Sequence, residues 1–199
     1  MARLIFPLAV GFLALLVVAA LLLGGPHTGI DPAVLAAFAE PSLVPAARLL
    51  THLGDVVTVL AAAALVAAWL LVRGQRRQAV LLLVIVVSER LLLEGMKNIF
   101  DRARPDPLGH EVAVHNLAFP SGHSANAMAG SLAIALLAAS PRLRLPAVAL
   151  ALTIALVTGI CRLVLQVHWP TDVVGGWAFG AAWTLLLVRL FGTAPSARH

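Results

Sequence analysis

The candidate catalytic and binding residues of this sequence fall into three short blocks, and the first runs from Lys97 to Pro105. Lys97 is the only lysine of the chain, and Arg104 follows it by seven residues, directly before Pro105. An ammonium and a planar guanidinium can bind different oxygens of one phosphate, and Pro105 stiffens the chain after Arg104. The block therefore predicts a phosphate-binding segment, with a basic stretch against lipid headgroups as the alternative.

The second block is Pro120-Ser121-Gly122-His123, directly before an apolar run. Ser121 is a preferred N-cap residue, and Gly122 allows a ligand to come close to the backbone. The free N–H groups and the dipole at a helix N-terminus attract anions. We expect an anion site with His123 in the first helical turn, although an ordinary capped helix start has the same pattern.

The third block contains Arg162, His168 and Asp172, with Pro170 suited to the first position of a helix. This helix start sets Asp172 in the first turn, four residues after His168. A carboxylate there can accept the proton of one imidazole nitrogen and leave the other nitrogen with a lone pair. That is the orienting logic of a catalytic triad, applied to histidine as the nucleophile. The alternative is a helix-start aspartate beside an interfacial histidine.

The elements that must position these blocks are apolar helices. Of the 199 residues, 61% are hydrophobic and 12% are charged, whereas soluble domains carry about 25% charged residues. A helix needs about 20 mostly apolar residues to cross a bilayer. Six such runs lie at approximately 4–23, 54–72, 79–97, 122–140, 145–164 and 171–191. The sequence predicts an all-α, six-transmembrane-helix bundle that forms a single membrane domain over 1–199, with its first run retained rather than cleaved as a signal peptide.

The distribution of basic residues predicts the orientation of this bundle. Arg73, Arg76, Arg77, Arg142 and Arg144 lie in loops without acidic residues, which is typical of cytoplasmic loops. Both termini are then cytoplasmic, and all three polar blocks lie at helix ends on the outer face, at the membrane–water interface. Because the net charge of +5 comes from such short loops, we expect the bilayer as partner and no nucleic acid.

The three blocks together resemble the type-2 phosphatidic acid phosphatase superfamily. That family has the pattern Lys-six residues-Arg-Pro, then Pro-Ser-Gly-His, then Ser-Arg-five residues-His-three residues-Asp. Here the pattern stands as Lys97–Pro105, Pro120–His123 and Arg162–Asp172, in order and with full spacing. One position departs from it, because Cys161 occupies the place of the usual serine, which removes a hydroxyl expected near the phosphate.

The resemblance implies an enzyme that hydrolyses a lipid phosphate without cofactor or metal. The short outer loops and compact length indicate the inner membrane of a bacterium. His168 would attack phosphorus to form a phosphohistidine, Asp172 would hold its tautomer, and His123 would protonate the leaving group. The cations and backbone groups that would bind the phosphate are Lys97, Arg104, Arg162, Ser121 and Gly122. Asp172 is expected to raise the pKa of His168. The lone cysteine and the absence of an HExxH or zinc-ribbon pattern agree with a site that holds no metal.

Residues outside the three blocks lead to weaker predictions. Glu94 is expected to pair with Arg90, four residues before it, or to position Lys97, and Trp169 is the tryptophan expected to touch substrate. His110 and His115 are interpreted as loop residues. The proline-containing segment 24–52 predicts one or two short interfacial helices, which form a connector or a lid.

Two other functions remain open from the sequence. A lipid phosphotransferase would use the same site with a lipid or sugar hydroxyl as acceptor, and a non-enzymatic anion or lipid transporter would bind phosphate without cleaving it. Transporters often contain inverted repeats, and none is visible in this sequence. Polyprenyl diphosphate and phosphatidylglycerol phosphate are the first candidate substrates, while the oligomeric state is not predicted.

Overall fold

The computed structural model describes residues 2–24, 30–105 and 117–192, and within these ranges every regular element is helical. The α-helices are α1 (Ala2–Leu23), α2 (Ile30–Ala36), α3 (Val44–Leu50), α4 (Val56–Val72), α5 (Arg76–Phe100), α6 (Gly122–Ala138), α7 (Arg144–Val164) and α8 (Pro170–Phe191). Short 3-10 turns cover Pro41–Leu43 and Thr51–Gly54. The predicted all-α class is therefore confirmed, and His110 and His115 lie outside the described residues.

Each of the six predicted apolar runs forms one long helix, with bounds that differ by a few residues. The third run, predicted at 79–97, extends over Arg76–Phe100. By length and composition, α7 and α8 can cross a membrane, and a third span results if α2 and Pro41–Gly54, bent by 72°, count as one. Helix α4 is apolar but has only 17 residues. The number of six crossings therefore stays a prediction.

Helix α6 lies at the centre of the bundle, because it packs against α4, α5, α7 and α8, while α1 packs against α8. Two glycines of α8 allow its first turns to lie directly on α6. A Cβ atom on Gly176 would lie 2.5 Å from the Ser121 carbonyl oxygen, and one on Gly180 would lie 2.6 Å from that of Ala125. Small residues four apart permit such close helix packing. This packing brings the second and third polar blocks together.

The polar contacts that the residues of the three blocks make between helices lie at one end of the bundle, which we name the site end. It is formed by the C-terminal ends of α1, α5 and α7 and the N-terminal ends of α4, α6 and α8. Arg102 after α5 donates to the Ala20 carbonyl of α1 at 3.0 Å, and His123 of α6 lies 2.7 Å from Asp55 before α4. These six helices therefore alternate in direction along the chain, as a bundle of successive crossings requires.

The segment between α1 and α4 forms two short helices, α2 and α3, as predicted. Its residues are fastened to the loop between α7 and α8. Asp31 accepts hydrogen bonds from the Thr171 amide at 3.0 Å and from the Thr171 hydroxyl at 2.5 Å. The Gln166 side chain donates to the Leu35 carbonyl at 3.3 Å. The segment is thus a part of the wall around the site end rather than a plain connector.

Candidate functional site

The centre of the site is a buried histidine with a different partner on each ring nitrogen. His168 lies between α7 and α8 and is 1% exposed. Its Nε2 is 2.9 Å from Nη1 of Arg104, and its Nδ1 is 3.4 Å from Oδ2 of Asp172. A guanidinium only donates hydrogen bonds, so Nε2 accepts and the ring proton is assigned to Nδ1, facing the carboxylate. The lone pair of Nε2 therefore points to the cation.

Burial and neighbouring cations keep the His168 imidazole neutral. The pKa of His168 is lowered well below its ordinary value, first by burial and then by the charges of Arg104, Arg162 and Lys97. The expected rise caused by Asp172 is therefore wrong, because these effects outweigh one carboxylate at 3.4 Å. Burial also lowers the pKa of Arg104 to about 10, against the opposing charge of Asp172, so the guanidinium stays charged at neutral pH.

A second arginine holds the Asp172 carboxylate from the side opposite His168. Arg102 Nη1 donates to Oδ1 of Asp172 at 2.8 Å, while Oδ2 accepts from the Trp169 amide at 2.9 Å. Arg102 Nη2 donates to the last carbonyls of α1, and the guanidinium lies 4.5 Å from the centre of the Phe119 ring. The carboxylate is completely buried. Its position is set by these two donors and by its place in the first turn of α8.

Replacing Arg102 by glutamine is expected to lower the free energy of unfolding by about 3–5 kcal/mol, because the change leaves a buried carboxylate without its cation. The free energy of unfolding of Arg102→Lys is expected to lie between those of the wild type and Arg102→Gln. Lysine keeps the charge but lacks the planar fork that reaches both Asp172 and α1. Thermal unfolding in detergent measures the effect. Arg142→Gln, an exposed arginine, is the matched control, and a melting point of Arg102→Gln equal to that control would contradict this role.

Three cations of the predicted site lie near His168 and are largely buried. Lys97 and Arg162 are 4% and 3% exposed, and both act electrostatically on His168 together with Arg104. Arg162 Nη1 donates to the Thr51 hydroxyl at 3.0 Å, while its buried Nε meets no hydrogen-bond acceptor among the described residues. Buried donors are almost always paired in proteins. A concentration of buried cations with an unmet donor is what an anionic ligand would complete.

The start of α6 lies against these cations, as the Pro-Ser-Gly-His block predicted. A Cβ atom on Gly122 would lie 3.7 Å from the Lys97 ammonium and 3.4 Å from Arg90 Nη1. Ser121 is at the N-cap position, but its side chain does not cap the helix. Its amide donates to the Asp172 carbonyl at 2.9 Å, which corrects the expectation that this amide binds phosphate. The amides of Gly122, His123 and Ser124 precede the first helical hydrogen bond, which the Ala125 amide donates to the Ser121 carbonyl at 3.0 Å.

Trp169 and Glu94, two further residues near the site, each have a defined partner. The Trp169 ring is buried, and its Nε1 donates to the Ala103 carbonyl at 2.9 Å, so it anchors the Arg102–Arg104 segment. A contact between Trp169 and a substrate stays a prediction. Glu94 Oε1 lies 2.5 Å from Arg90 Nη2, which agrees with the predicted pair four residues apart. Arg90 itself also reaches Gly122, a contact that the sequence did not indicate.

Cys161 packs among apolar side chains and not in the polar site. It is buried in a cluster with Ala47, Val164, Leu165 and Val167. A buried cysteine acts as a small apolar residue in such a setting. Cysteine in place of the usual serine therefore suits the apolar surroundings of this position, which is next to Arg162 in the chain.

The predicted histidine His123 has partners that sequence reasoning missed. His123 Nε2 lies 2.7 Å from Oδ1 of Asp55, and Oδ2 of the same carboxylate lies 2.6 Å from Nδ1 of His52. Asp55, His52 and Arg102 are polar groups of the site end that the sequence patterns did not single out. Asp55 stands directly before an apolar run, and Arg102 stands inside the first block but is not one of the residues that define its pattern. The sequence assigned no role to either, because no sequence spacing links Asp55 to His123 or Arg102 to Asp172.

No group of three or more histidine, cysteine, aspartate or glutamate side chains with the geometry of a metal site occurs in residues 2–24, 30–105 and 117–192. The charge at the site is instead supplied by lysine and arginine side chains. The fold and this geometry define a helical membrane protein with a cationic site that contains two histidine–carboxylate pairs at one end of the bundle.

The family follows from comparison with known proteins. The PAP2 superfamily model matches residues 78–195, and the chain belongs to this superfamily. The chain is 36% identical over 111 residues to the lipid A 1-phosphatase of Rhizobium johnstonii, over 51% of this chain and 43% of that protein. It is 38% identical over 103 residues to phosphatidylglycerophosphatase B of Bacillus subtilis, over 47% of this chain and 48% of that protein. The chain thus spans less than half the length of these curated relatives.

Solved structures agree on the fold over a larger part of the chain. The crystal structure of the first transmembrane PAP2 type phosphatidylglycerolphosphate phosphatase from Bacillus subtilis has a TM-score of 0.83 at 28% identity, covering 97% of this chain and 98% of that one. The structure of Aquifex aeolicus LpxE, at 18% identity with a TM-score of 0.66 over 80% of this chain and 95% of that one, shares the fold. The protein is an integral membrane protein of this family.

Proposed function

We propose that the protein is a phosphatase that hydrolyses a phosphomonoester or diphosphate of a membrane lipid through a phosphohistidine at His168. The observation that carries the proposal is the pair of contacts at the His168 ring. Nδ1 faces Asp172 at 3.4 Å and Nε2 lies 2.9 Å from Arg104. A neutral imidazole with its lone pair directed at a phosphate-binding cation is arranged for attack on phosphorus. The related phosphatases support the same reaction class.

In the first step, His168 Nε2 forms a bond to phosphorus while the bond from phosphorus to the lipid oxygen breaks. Arg104 Nη1 now donates to Nε2 and would exchange this acceptor for a phosphoryl oxygen as the substrate arrives. Lys97, Arg104 and Arg162 neutralise the charge on the equatorial oxygens, which is the main contribution to phosphoryl transfer. Asp172 stabilises the positive charge that develops on the imidazole, and His123 gives a proton to the departing lipid oxygen.

In the second step, water attacks the phosphorus of the phosphohistidine. His123 accepts a proton from this water, and the bond between phosphorus and Nε2 breaks, which returns His168 to its neutral form. The products are the lipid alcohol, or the lipid monophosphate if a diphosphate is cleaved, and inorganic phosphate. Each proton is returned, so the cycle needs no redox partner, and side-chain cations supply the charge that metal ions provide in other phosphatases.

The topology is part of the same proposal. Six crossings over a single domain at 1–199 are supported by the alternating direction of the helices and by the arginine-rich loops of the opposite end. Both termini are then cytoplasmic, and the site end lies at the outer interface of a bacterial inner membrane. A lipid headgroup holds its phosphate at the membrane interface, at the same depth as the site end. A soluble phosphate ester is not held there.

The test is a panel of lipid phosphates supplied in detergent to the purified protein. Phosphatidate, phosphatidylglycerol phosphate, a polyprenyl diphosphate and a lipid A 1-phosphate are compared by release of inorganic phosphate, with and without EDTA. We expect release from at least one of these lipids, an unchanged rate in EDTA, and no release by His168→Ala. Loss of activity in EDTA that added divalent metal restores would contradict the metal-independent mechanism.

The two alternative functions give different results in the same panel. A phosphotransferase would form a phosphorylated acceptor when a lipid or sugar hydroxyl is added, with phosphate release reduced by the same amount. A transporter would move the lipid or phosphate across a liposome membrane without cleavage. Transport with no cleavage of any lipid in the panel would overturn the proposed phosphatase.

A further inference from the structure

The second histidine of the site has a carboxylate partner of its own, and that carboxylate has a third partner at the surface. His123 Nε2 lies 2.7 Å from Asp55 Oδ1, and His52 Nδ1 lies 2.6 Å from Asp55 Oδ2. The side chain of His123 is 28% exposed and that of His52 is 66% exposed. The three groups therefore form a line from the buried site to the surface, built from the 3-10 turn at Thr51–Gly54 and the start of α6.

Asp55 makes these contacts at the expense of its usual local role. It stands at the N-cap position of α4, where an aspartate ordinarily accepts a hydrogen bond from the first turn and stabilises the helix. Its side chain makes no such bond to α4. Both carboxylate oxygens are directed to histidines instead. An N-cap aspartate that leaves its own helix uncapped and joins two imidazoles is better explained by the site than by helix stability.

The contact to Asp55 decides which nitrogen of His123 faces a substrate. A carboxylate is an acceptor, so Nε2 carries the proton that it shares with Asp55, and Nδ1 is the nitrogen left for the phosphoryl group. This is the relation that Asp172 has to His168. The two pairs differ in use, because His168 needs a free lone pair whereas the acid needs a second proton on its ring.

Charged groups from several elements surround the His123 ring that must carry this second proton. Charged and titratable groups act on His123 from several elements: Lys97 from α5, Arg162 from α7, His168 from the α7–α8 loop, and Asp55 with His52 beyond it. The two cations repel a positive imidazole, and among these groups Asp55 is the one that attracts it. Asp55 is therefore the group among these that can stabilise the doubly protonated ring that donates the proton.

We propose that Asp55 is the positioning residue of His123, and that His52 fixes the Asp55 carboxylate from the solvent side. Asp55 holds Nδ1 of His123 toward the leaving oxygen and stabilises the charged ring that donates the proton. His52 occupies the second carboxylate oxygen and so restrains the rotation of Asp55. The inference rests on the proposed phosphatase function and assigns two residues to it that lie outside the three sequence blocks.

The test compares leaving groups in one variant. Asp55→Asn is expected to lower kcat about 100-fold with a lipid phosphate, whose alkoxide must be protonated as it leaves. With p-nitrophenyl phosphate, whose phenolate leaves without a proton, kcat is expected to fall by about tenfold at most. KM should change little, and the basic limb of the pH profile with the lipid substrate should move to lower pH, because the charged imidazole has lost its anion.

The ratio of the two rates is independent of how much of the variant is folded, so it separates positioning from structural damage. His123→Ala should give the same leaving-group signature, and Asp55→Asn should add little to it in the double variant. His52→Ala should give a smaller loss of the same kind. Equal losses of kcat on both substrates in Asp55→Asn, or no loss on the lipid, would overturn the inference about Asp55. The phosphatase proposal would still stand in that case, because the wild type is active. An inactive wild type would instead contradict that proposal.

Discussion

The His168→Ala variant is expected to release phosphate from its lipid substrate at least ~10⁴-fold more slowly than the wild type, since removal of a nucleophile that acts in a concerted unit has effects of this size. His168 is 1% exposed and has Asp172 and Arg104 on its two ring nitrogens. Rates of phosphate release under saturating substrate measure the change.

Two controls separate loss of the nucleophile from loss of the fold. Thermal unfolding in detergent, with and without inorganic phosphate, reports whether the variant keeps its fold and its anion site. Added imidazole should enter the space left by the side chain and restore part of the activity to His168→Ala but not to the wild type. A folded variant that keeps more than about one per cent of the turnover, far above the residual rate expected for a missing nucleophile, would show that His168 is not the attacking group.

Asp172→Asn is expected to lower kcat by roughly 10³–10⁴-fold without a comparable change in KM. Oδ2 of Asp172 faces the His168 ring and the Trp169 amide, and Oδ1 accepts from Arg102. The asparagine amide has one oxygen and one NH₂ group. Its NH₂ group must therefore face either Arg102 or the His168 ring and the Trp169 amide, which are themselves hydrogen-bond donors. If the NH₂ group faces His168, it favours the tautomer with the proton on Nε2. The lone pair needed for attack is then lost.

Asp31→Asn is the matched control for this substitution. Asp31 is also fully buried and accepts two hydrogen bonds from Thr171, the residue directly before Asp172. Its two hydrogen bonds with Thr171 hold the same loop, so its conversion to asparagine should disturb that loop without changing the tautomer of the nucleophile. We expect less than about a tenfold effect on kcat, or 1.4 kcal/mol. Equal losses in Asp31→Asn and Asp172→Asn would attribute both effects to loop structure.

The sequence predicted the helices and the convergence of the three blocks because both depend on simple periodic or local features. Long apolar runs have one stable conformation in a bilayer, and Pro170 starts α8 as expected. The contact between His168 and Asp172 follows from their spacing of four residues at that helix start. Close packing of Gly176 and Gly180 on α6 then joins the third block to the second.

The parts that the sequence did not predict depend on contacts between distant segments. Arg102 reaches Asp172 across a separation of 70 residues, and Asp55 reaches His123 across 68. Neither pair has a helical spacing, so only the packing of the helix ends reveals it. The amide of Ser121 was predicted to face phosphate, but it bonds to the Asp172 carbonyl. That bond forms because α8 lies so close to α6.

The pKa of His168 shows the same limit of local reasoning. Counting one carboxylate nearby predicted an increase, whereas burial and the cations Arg104, Arg162 and Lys97 lower it. The lowered pKa keeps His168 neutral, with its lone pair available, throughout the physiological pH range. In the proposed mechanism, the charges that bind phosphate also keep the nucleophile unprotonated.

The stereochemical course at phosphorus tests the covalent mechanism most directly. A lipid phosphorothioate of defined configuration is hydrolysed in isotopically labelled water, and the configuration of the released thiophosphate is determined. Attack by His168 followed by attack of water comprises two in-line displacements, so we predict net retention of configuration. Net inversion would mean that water attacks the lipid phosphate in one step and that no phosphohistidine forms at His168.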